Sequence, residues 1–294
     1  MIKMVASIVF SSVLSNAAYA ETVRVSEGLD VFYQKSGHGK LSLVLVPGWA
    51  MSSQVFERQL KFFSNSEDFT IYAIDPRSQG RSSKTDEGNY YEQHGKDVND
   101  FLNALKIENV VLAGWSNGGF DVLSYVDQYG SKSLAGLVMI DAAPKGSGKD
   151  NTKDWAWFNQ DDSDGYRRYF TQKSLLHRDE LNDEFAKWMV EDPTPSYMSW
   201  VTKISNQTSN HVAALLNESS AYQDYSKTLK GLEGTTKLLY FANYEKAEIV
   251  KRWAADNTPS ARVEVFPKHL SFWERDKEFN KTLNDFLKSI STSL

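Results

Sequence analysis

The chain has 294 residues, no cysteine and a formal net charge of −5 at pH 7. Without cysteine, neither a disulfide framework nor a thiolate metal site is possible. Acids and bases are mixed along the chain, and no basic stripe interleaved with aromatics marks a nucleic-acid partner; the length fits one large domain with an insertion.

In chain order, the first twenty residues read as an address label. Lys3 is followed by the apolar stretch "MVASIVFSSVLS", and "AYA" closes just before Glu21. This is the pattern of a secretory signal peptide over residues 1–20, cleaved after Ala20. A periplasmic or secreted mature chain of 274 residues is expected, with a net charge of −6 once Lys3 is removed. No other uncharged apolar run approaches the roughly 18 residues of a membrane helix.

"TVRVSEGLDVFYQKSG" reads as two strands joined at Glu27-Gly28. "LSLVLVPG" is a continuous apolar run ended by Pro-Gly, as in a strand covered on both faces. A helical pattern starts at Ser53, and a strand over residues 69–75 then enters the polar loop "DPRSQGRS". Residues 92–107 have helical spacing, "NVVLAG" is a strand, 117–129 a helix, and "LAGLVMIDAAP" a strand. This alternation predicts a mostly parallel central sheet flanked by helices, in the α/β class.

After Pro144 the alternation stops. "KGSGKDNTKD" has linker composition, and the chain to about Thr235 is aromatic-rich and helical in pattern. Strand, helix and strand then return in "TKLLYFANY", "EIVKRWAAD" and "ARVEVFP". A last helix carries Phe279, Leu283, Phe286, Leu287 and Ile290 on one face. The expected organisation is a core over residues 21–144 and 236–294, with a helical cap inserted over 145–235.

The chemistry centres on Gly114-Trp115-Ser116-Asn117-Gly118, set between a buried strand and a helix. A serine hydroxyl attacks only when a base takes its proton and donors hold the oxyanion. A sharp strand-to-helix turn exposes the hydroxyl beside free helix N–H groups. The alternative is a glycine-rich turn with an incidental serine. Of five histidines, His269 alone follows the last strand at the carboxyl end of the sheet, which makes it the expected base. Glu245, after "KLLYFANY", is the expected acid on the order serine, acid, histidine; Asp141, ending "LVMID", is its competitor. Glu245 also fits a plain role at a helix start. The expected oxyanion donors are the backbone N–H groups of Asn117 and Trp49, although Pro47-Gly48 equally suits an ordinary turn.

These segments resemble the α/β-hydrolase superfamily, in the branch holding bacterial esterases, cofactor-free haloperoxidase-like enzymes and acyl-homoserine lactonases. The resemblance runs from about Leu41 to Phe286. It rests on Gly114-Trp115-Ser116-Asn117-Gly118, "DPRSQGRS", "LVMIDAAP" and His269 followed by "FWE". It implies an α/β-hydrolase fold with the insertion as cap domain, and a Ser116–His269–acid triad whose acid matches Glu245. Pro47, Ser78, Ala242 and Glu245 depart from the usual histidine, glycine, glycine and aspartate of such relatives.

In the insertion, Trp155, Trp157, Phe158, Tyr166, Tyr169, Phe170, Trp188, Tyr197 and Trp200 are expected to fill a small cap core, and some of them to line an apolar pocket over Ser116. Asp161, Asp162 and Asp164 lack the closing glutamate of a calcium loop and read as a solvated acidic turn. The expected activity is hydrolysis of carboxylic esters through an acyl-enzyme on Ser116, without metal or organic cofactor. A small-molecule ester or lactone is the expected partner. Lactone hydrolysis and perhydrolysis use the same groups, and a catalytically silent ligand binder is the non-enzyme alternative.

Overall fold

The computed structural model describes residues 19–161 and 163–292. Most of the expected signal peptide, and Asp162 of the acidic turn, lie outside the described residues. Tyr19 and Ala20 already belong to the first strand.

A hairpin of β1 (Tyr19–Ser26) and β2 (Leu29–Gly37) is followed by β3 (Leu41–Val46), a 3-10 turn (Ser53–Phe56), α1 (Glu57–Phe62) and β4 (Phe69–Ile74). Then come α2 (Tyr91–Ala104), β5 (Val110–Trp115), α3 (Gly118–Tyr129) and β6 (Leu134–Ile140). The inserted segment holds β7 (Lys145–Gly148), β8 (Ala156–Asn159), α4 (Ser163–Leu176), α5 (Arg178–Met189), α6 (Pro195–Ser205), α7 (Asn210–Ser220) and α8 (Ser226–Lys230). The chain closes with β9 (Lys237–Asn243), α9 (Ala247–Asn257), β10 (Arg262–Phe266), α10 (Ser271–Glu274) and α11 (Asp276–Ser291).

Eight strands form one sheet in the order β1-β2-β4-β3-β5-β6-β9-β10. β2 runs antiparallel to both β1 and β4, and the remaining pairings are parallel. Side chains of the central strands alternate between two cores, as a period of two requires. Val44, Leu112, Met139 and Tyr240 face α2, α3 and α9. Leu43, Val111, Val138 and Leu239 face α1 and α11, where Phe279, Leu283, Phe286, Leu287 and Ile290 form the buried stripe.

Two local expectations change. The helix read from Ser53 begins as a 3-10 turn, where Asp75 accepts from the Ser53 N–H at 2.6 Å and fixes the entry of the chain. The segment read as a linker opens with β7, which pairs in parallel with β8 just beyond it, both strands too short to show a period. No helix among the described residues is long and apolar enough to cross a membrane.

Candidate active site

Register alone brings the expected site residues to one edge of the sheet. Val46 of β3 pairs with Gly114 of β5, Trp115 of β5 with Ile140 of β6, Ile140 with Phe241 of β9, and Asn243 of β9 with Phe266 of β10. The residues that follow these pairs are therefore level: Gly48 and Trp49, then Ser116, Asp141 and, three positions past Phe266, His269. Ligands in open α/β sheets bind outside such carboxyl ends.

Ser116 is left-handed, with φ 54, a conformation a side-chain-bearing residue adopts only under constraint. The constraint is the closeness of strand and helix. A Cβ on Gly114 would stand 2.3 Å from the Gly118 carbonyl oxygen, and one on Gly118 would stand 2.5 Å from that of Val46. The elbow has room for glycine alone at both places. Gly48 faces it from the β3 loop, where an added Cβ would lie 2.8 Å from Ser116 Cβ. Trp49, Ser116 and Asn117 all line the same cavity.

His269 is buried, and its Nδ1 lies 2.6 Å from Asp141 Oδ2. A carboxylate accepts, so Nδ1 carries the proton and Nε2 is left as the basic nitrogen. Asn243 holds the other side of the acid: its N–H donates to Asp141 Oδ1 at 3.1 Å and its Nδ2 to Oδ2 at 3.0 Å. The elbow and the histidine loop are tied directly, since the buried Trp115 indole donates to the His269 carbonyl at 3.0 Å. Indoles also surround the imidazole, with ring centres of Trp188, Trp115 and Trp157 at 4.6, 5.2 and 6.0 Å.

The carboxylate bonded to His269 is Asp141 and not the expected Glu245. Glu245 is exposed in the turn between β9 and α9 and lines the outer part of the cavity. No hydrogen bond or ion pair joins it to His269 among the described residues. β9 ends with Asn243 turned toward Asp141, and the chain then bends outward into α9. Asp141 stands immediately after β6, adjacent to β9 in the sheet, and its left-handed backbone (φ 40) sets the carboxylate under the imidazole.

The cavity has a volume of about 590 Å³. Trp157, Phe158, Phe170, Phe185 and Trp188 give it aromatic walls, while Asn151, Asn159, Asn217, Glu184, Glu245 and Lys246 supply polar groups. Of the nine aromatics singled out in the insertion, Trp157, Phe158, Phe170 and Trp188 face this cavity. Trp155 and Tyr197 are buried in packing instead, and Trp200 stacks on Trp273. Tyr169 is half exposed. Lys246 donates to the Asn151 carbonyl at 2.8 Å, and partial burial holds its pKa below the usual lysine value. No group of three or more potential metal-ligating side chains occurs among the described residues.

Asn243 and Trp115 were not singled out as site residues from the sequence. Trp115 occupies a variable position of the elbow, and an asparagine ending a strand carries no signal until the neighbouring strand is known. Asp75, whose loop contributes to the resemblance, supports the site from behind by accepting from the N–H groups of Ser53 and Arg81 at 2.6 and 2.7 Å. Burial raises its pKa.

Comparison with known proteins agrees with this architecture. Residues 42–276 match the model of the alpha/beta hydrolase fold family, and the chain belongs to that family. It is 22% identical over 274 residues to the AB hydrolase superfamily protein YisY of Bacillus subtilis, covering 91% of this chain and 98% of that one. It is 32% identical over 123 residues to the bifunctional esterase/perhydrolase DCH of Acinetobacter calcoaceticus, spanning 42% of this chain and 44% of that protein. The crystal structure of a bromoperoxidase from Bacillus anthracis superposes with a TM-score of 0.80 at 22% identity, covering 92% of this chain and all of that one. An esterase from Exiguobacterium antarcticum superposes with a TM-score of 0.80 at 20% identity, covering 92% of this chain and all of that one.

Proposed function

We propose that the protein is a serine hydrolase of carboxylic esters, with Ser116 as nucleophile, His269 as general base and Asp141 as the acid that orients His269. The observation that carries this reading is the row along the sheet edge: a strained serine and a histidine bonded to Asp141 at 2.6 Å, both lining one cavity. In the proposed sequence, His269 Nε2 takes the Ser116 proton as Oγ attacks the ester carbonyl. The N–H groups of Trp49 and Asn117 donate to the developing oxyanion, and the alcohol leaves with the proton from His269. Water then attacks the acyl-enzyme with His269 again as base, releasing the acid and free Ser116. The aromatic walls suit an apolar acyl or aryl group.

Perhydrolysis, with hydrogen peroxide replacing water in the second half, is a further outlet of the same site. Its support is the esterase/perhydrolase relative in Acinetobacter. The sequence pattern at residues 1–20 supports export to the periplasm or beyond. Labelling with a fluorophosphonate, followed by peptide mapping and a panel of matched open-chain esters and lactones, tests the reading. Covalent modification at Ser116 with ester turnover is expected. An unlabelled, properly folded protein that ignores every ester would leave the ligand-binder reading standing.

A further inference from the structure

Trp49 belongs to the core loop, but its side chain is held by the cap. The indole N–H donates to the Ala213 carbonyl of α7 at 2.7 Å, and the ring packs on Phe170 of α4 and Phe185 of α5. The guanidinium of Arg178, at the start of α5, lies over the indole face with Cζ 4.6 Å from the ring centre. Arg178 is only 5% exposed. Its Nε donates to Asn182 Oδ1 at 2.9 Å and its Nη2 to Ser205 Oγ at 2.8 Å, while Nη1 has no acceptor among the described residues. Ser205 Oγ also donates to Asn182 Oδ1 at 2.9 Å. Every bonded acceptor is neutral.

Buried cations ordinarily sit against a carboxylate, because an unpaired charge in a low-dielectric interior is costly. Here the acid acting on the guanidinium is the neighbouring Asp179, through space, and burial outweighs it, lowering Arg178 to about 10. An acid in place of Asn182 would neutralise the guanidinium, at the cost of the bond that the Asn182 amide donates to Asn206 Oδ1 at 2.9 Å. What the neutral acceptors preserve is positive charge beside the residue whose N–H meets the substrate oxyanion. Electrostatic stabilisation of this kind acts when charge develops in the transition state.

We propose that Arg178 is a positioning residue of the oxyanion loop: from the inserted segment it fixes the Trp49 indole and keeps an un-neutralised positive charge over the indole face. The inference rests on the ester-hydrolase reading, and it makes the cap a contributor to rate as well as to substrate choice.

The test compares Arg178→Met, Arg178→Lys and Asn182→Asp with the wild type on one p-nitrophenyl ester. Arg178→Met should lower kcat about tenfold with KM within twofold, a split that marks an interaction strengthened in the transition state. Arg178→Lys should recover part of the loss. Asn182→Asp should lower kcat, because the new carboxylate pairs with the guanidinium and neutralises it. A trifluoromethyl ketone, which forms a bound oxyanion, should lose affinity in parallel with kcat, while a ground-state amide analogue should not. Folded Arg178→Met with full kcat, or folded Asn182→Asp with full kcat, would overturn the inference alone. If Arg178→Met does not fold, Asn182→Asp decides. A wild type that neither labels at Ser116 nor turns over an ester would overturn both the reading and the inference.

Discussion

The sheet edge and the cap meet at one cavity but are built by different forces. Along the sheet, Ser116, Asp141 and the chain leading to His269 follow strands whose relative positions are set by backbone ladders, such as Trp115 with Ile140 and Ile140 with Phe241. In the cap, Trp188, Phe185 and Phe170 are placed by ring packing among α4 and α5, with ring centres 5.6 Å apart. Ladder hydrogen bonds repeat at fixed spacing and tolerate little slip. Ring packing is non-directional by comparison and accommodates new volumes. The difference assigns reactivity to the edge and selectivity largely to the cap, with Trp49 crossing between them.

The strongest way to break this division is Ser116→Ala, expected to lower kcat by on the order of 10⁴ to 10⁶-fold while leaving Tm little changed. Activity within tenfold of wild type would remove the serine from the mechanism. Next comes the acid. Asp141→Asn should cost about 10³ to 10⁴-fold in kcat, since His269 loses the partner that sets its tautomer, whereas Glu245→Gln should stay within about twofold. Steady-state kinetics of the two variants side by side decide between them, and the reverse ranking would restore Glu245.

In the cap, Trp188→Ala removes the ring 4.6 Å from His269. We expect KM for aryl esters to rise up to about tenfold, the scale of one aromatic contact, with a smaller effect on acetate esters. Equal losses on both would place Trp188 among the groups that orient the histidine. The smallest catalytic effect is expected far from the cavity. Leu283→Ala empties a buried position of α11 and should reduce unfolding free energy by about 2–5 kcal/mol, with kcat per folded molecule unchanged. Denaturant unfolding and active-site titration separate the two quantities.

Most of the core was legible before any coordinates, because each buried strand announces itself as an apolar run and α11 as a stripe at helical spacing. The elbow was legible for a related reason: only a chain that must bring a helix start against a strand end needs glycine at both 114 and 118. The 3-10 turn at Ser53 and the β7–β8 pair were not, since both are shorter than the period that would reveal them. The acid was misread because chain order says which loop comes next, not which strand lies alongside.

From the amino-acid order alone come the alternation of strand and helix, its break after Pro144, and Ser116 and His269 as the two candidate reactive side chains. Those features are local, written in spacing and turn chemistry within a dozen residues. Only the tertiary structure chose Asp141 over Glu245, enlisted Asn243 and Trp115 to hold the histidine and its acid, and laid Arg178 over Trp49. Each of those choices joins residues far apart in the chain, and strand adjacency and burial, which no single segment encodes, decide them.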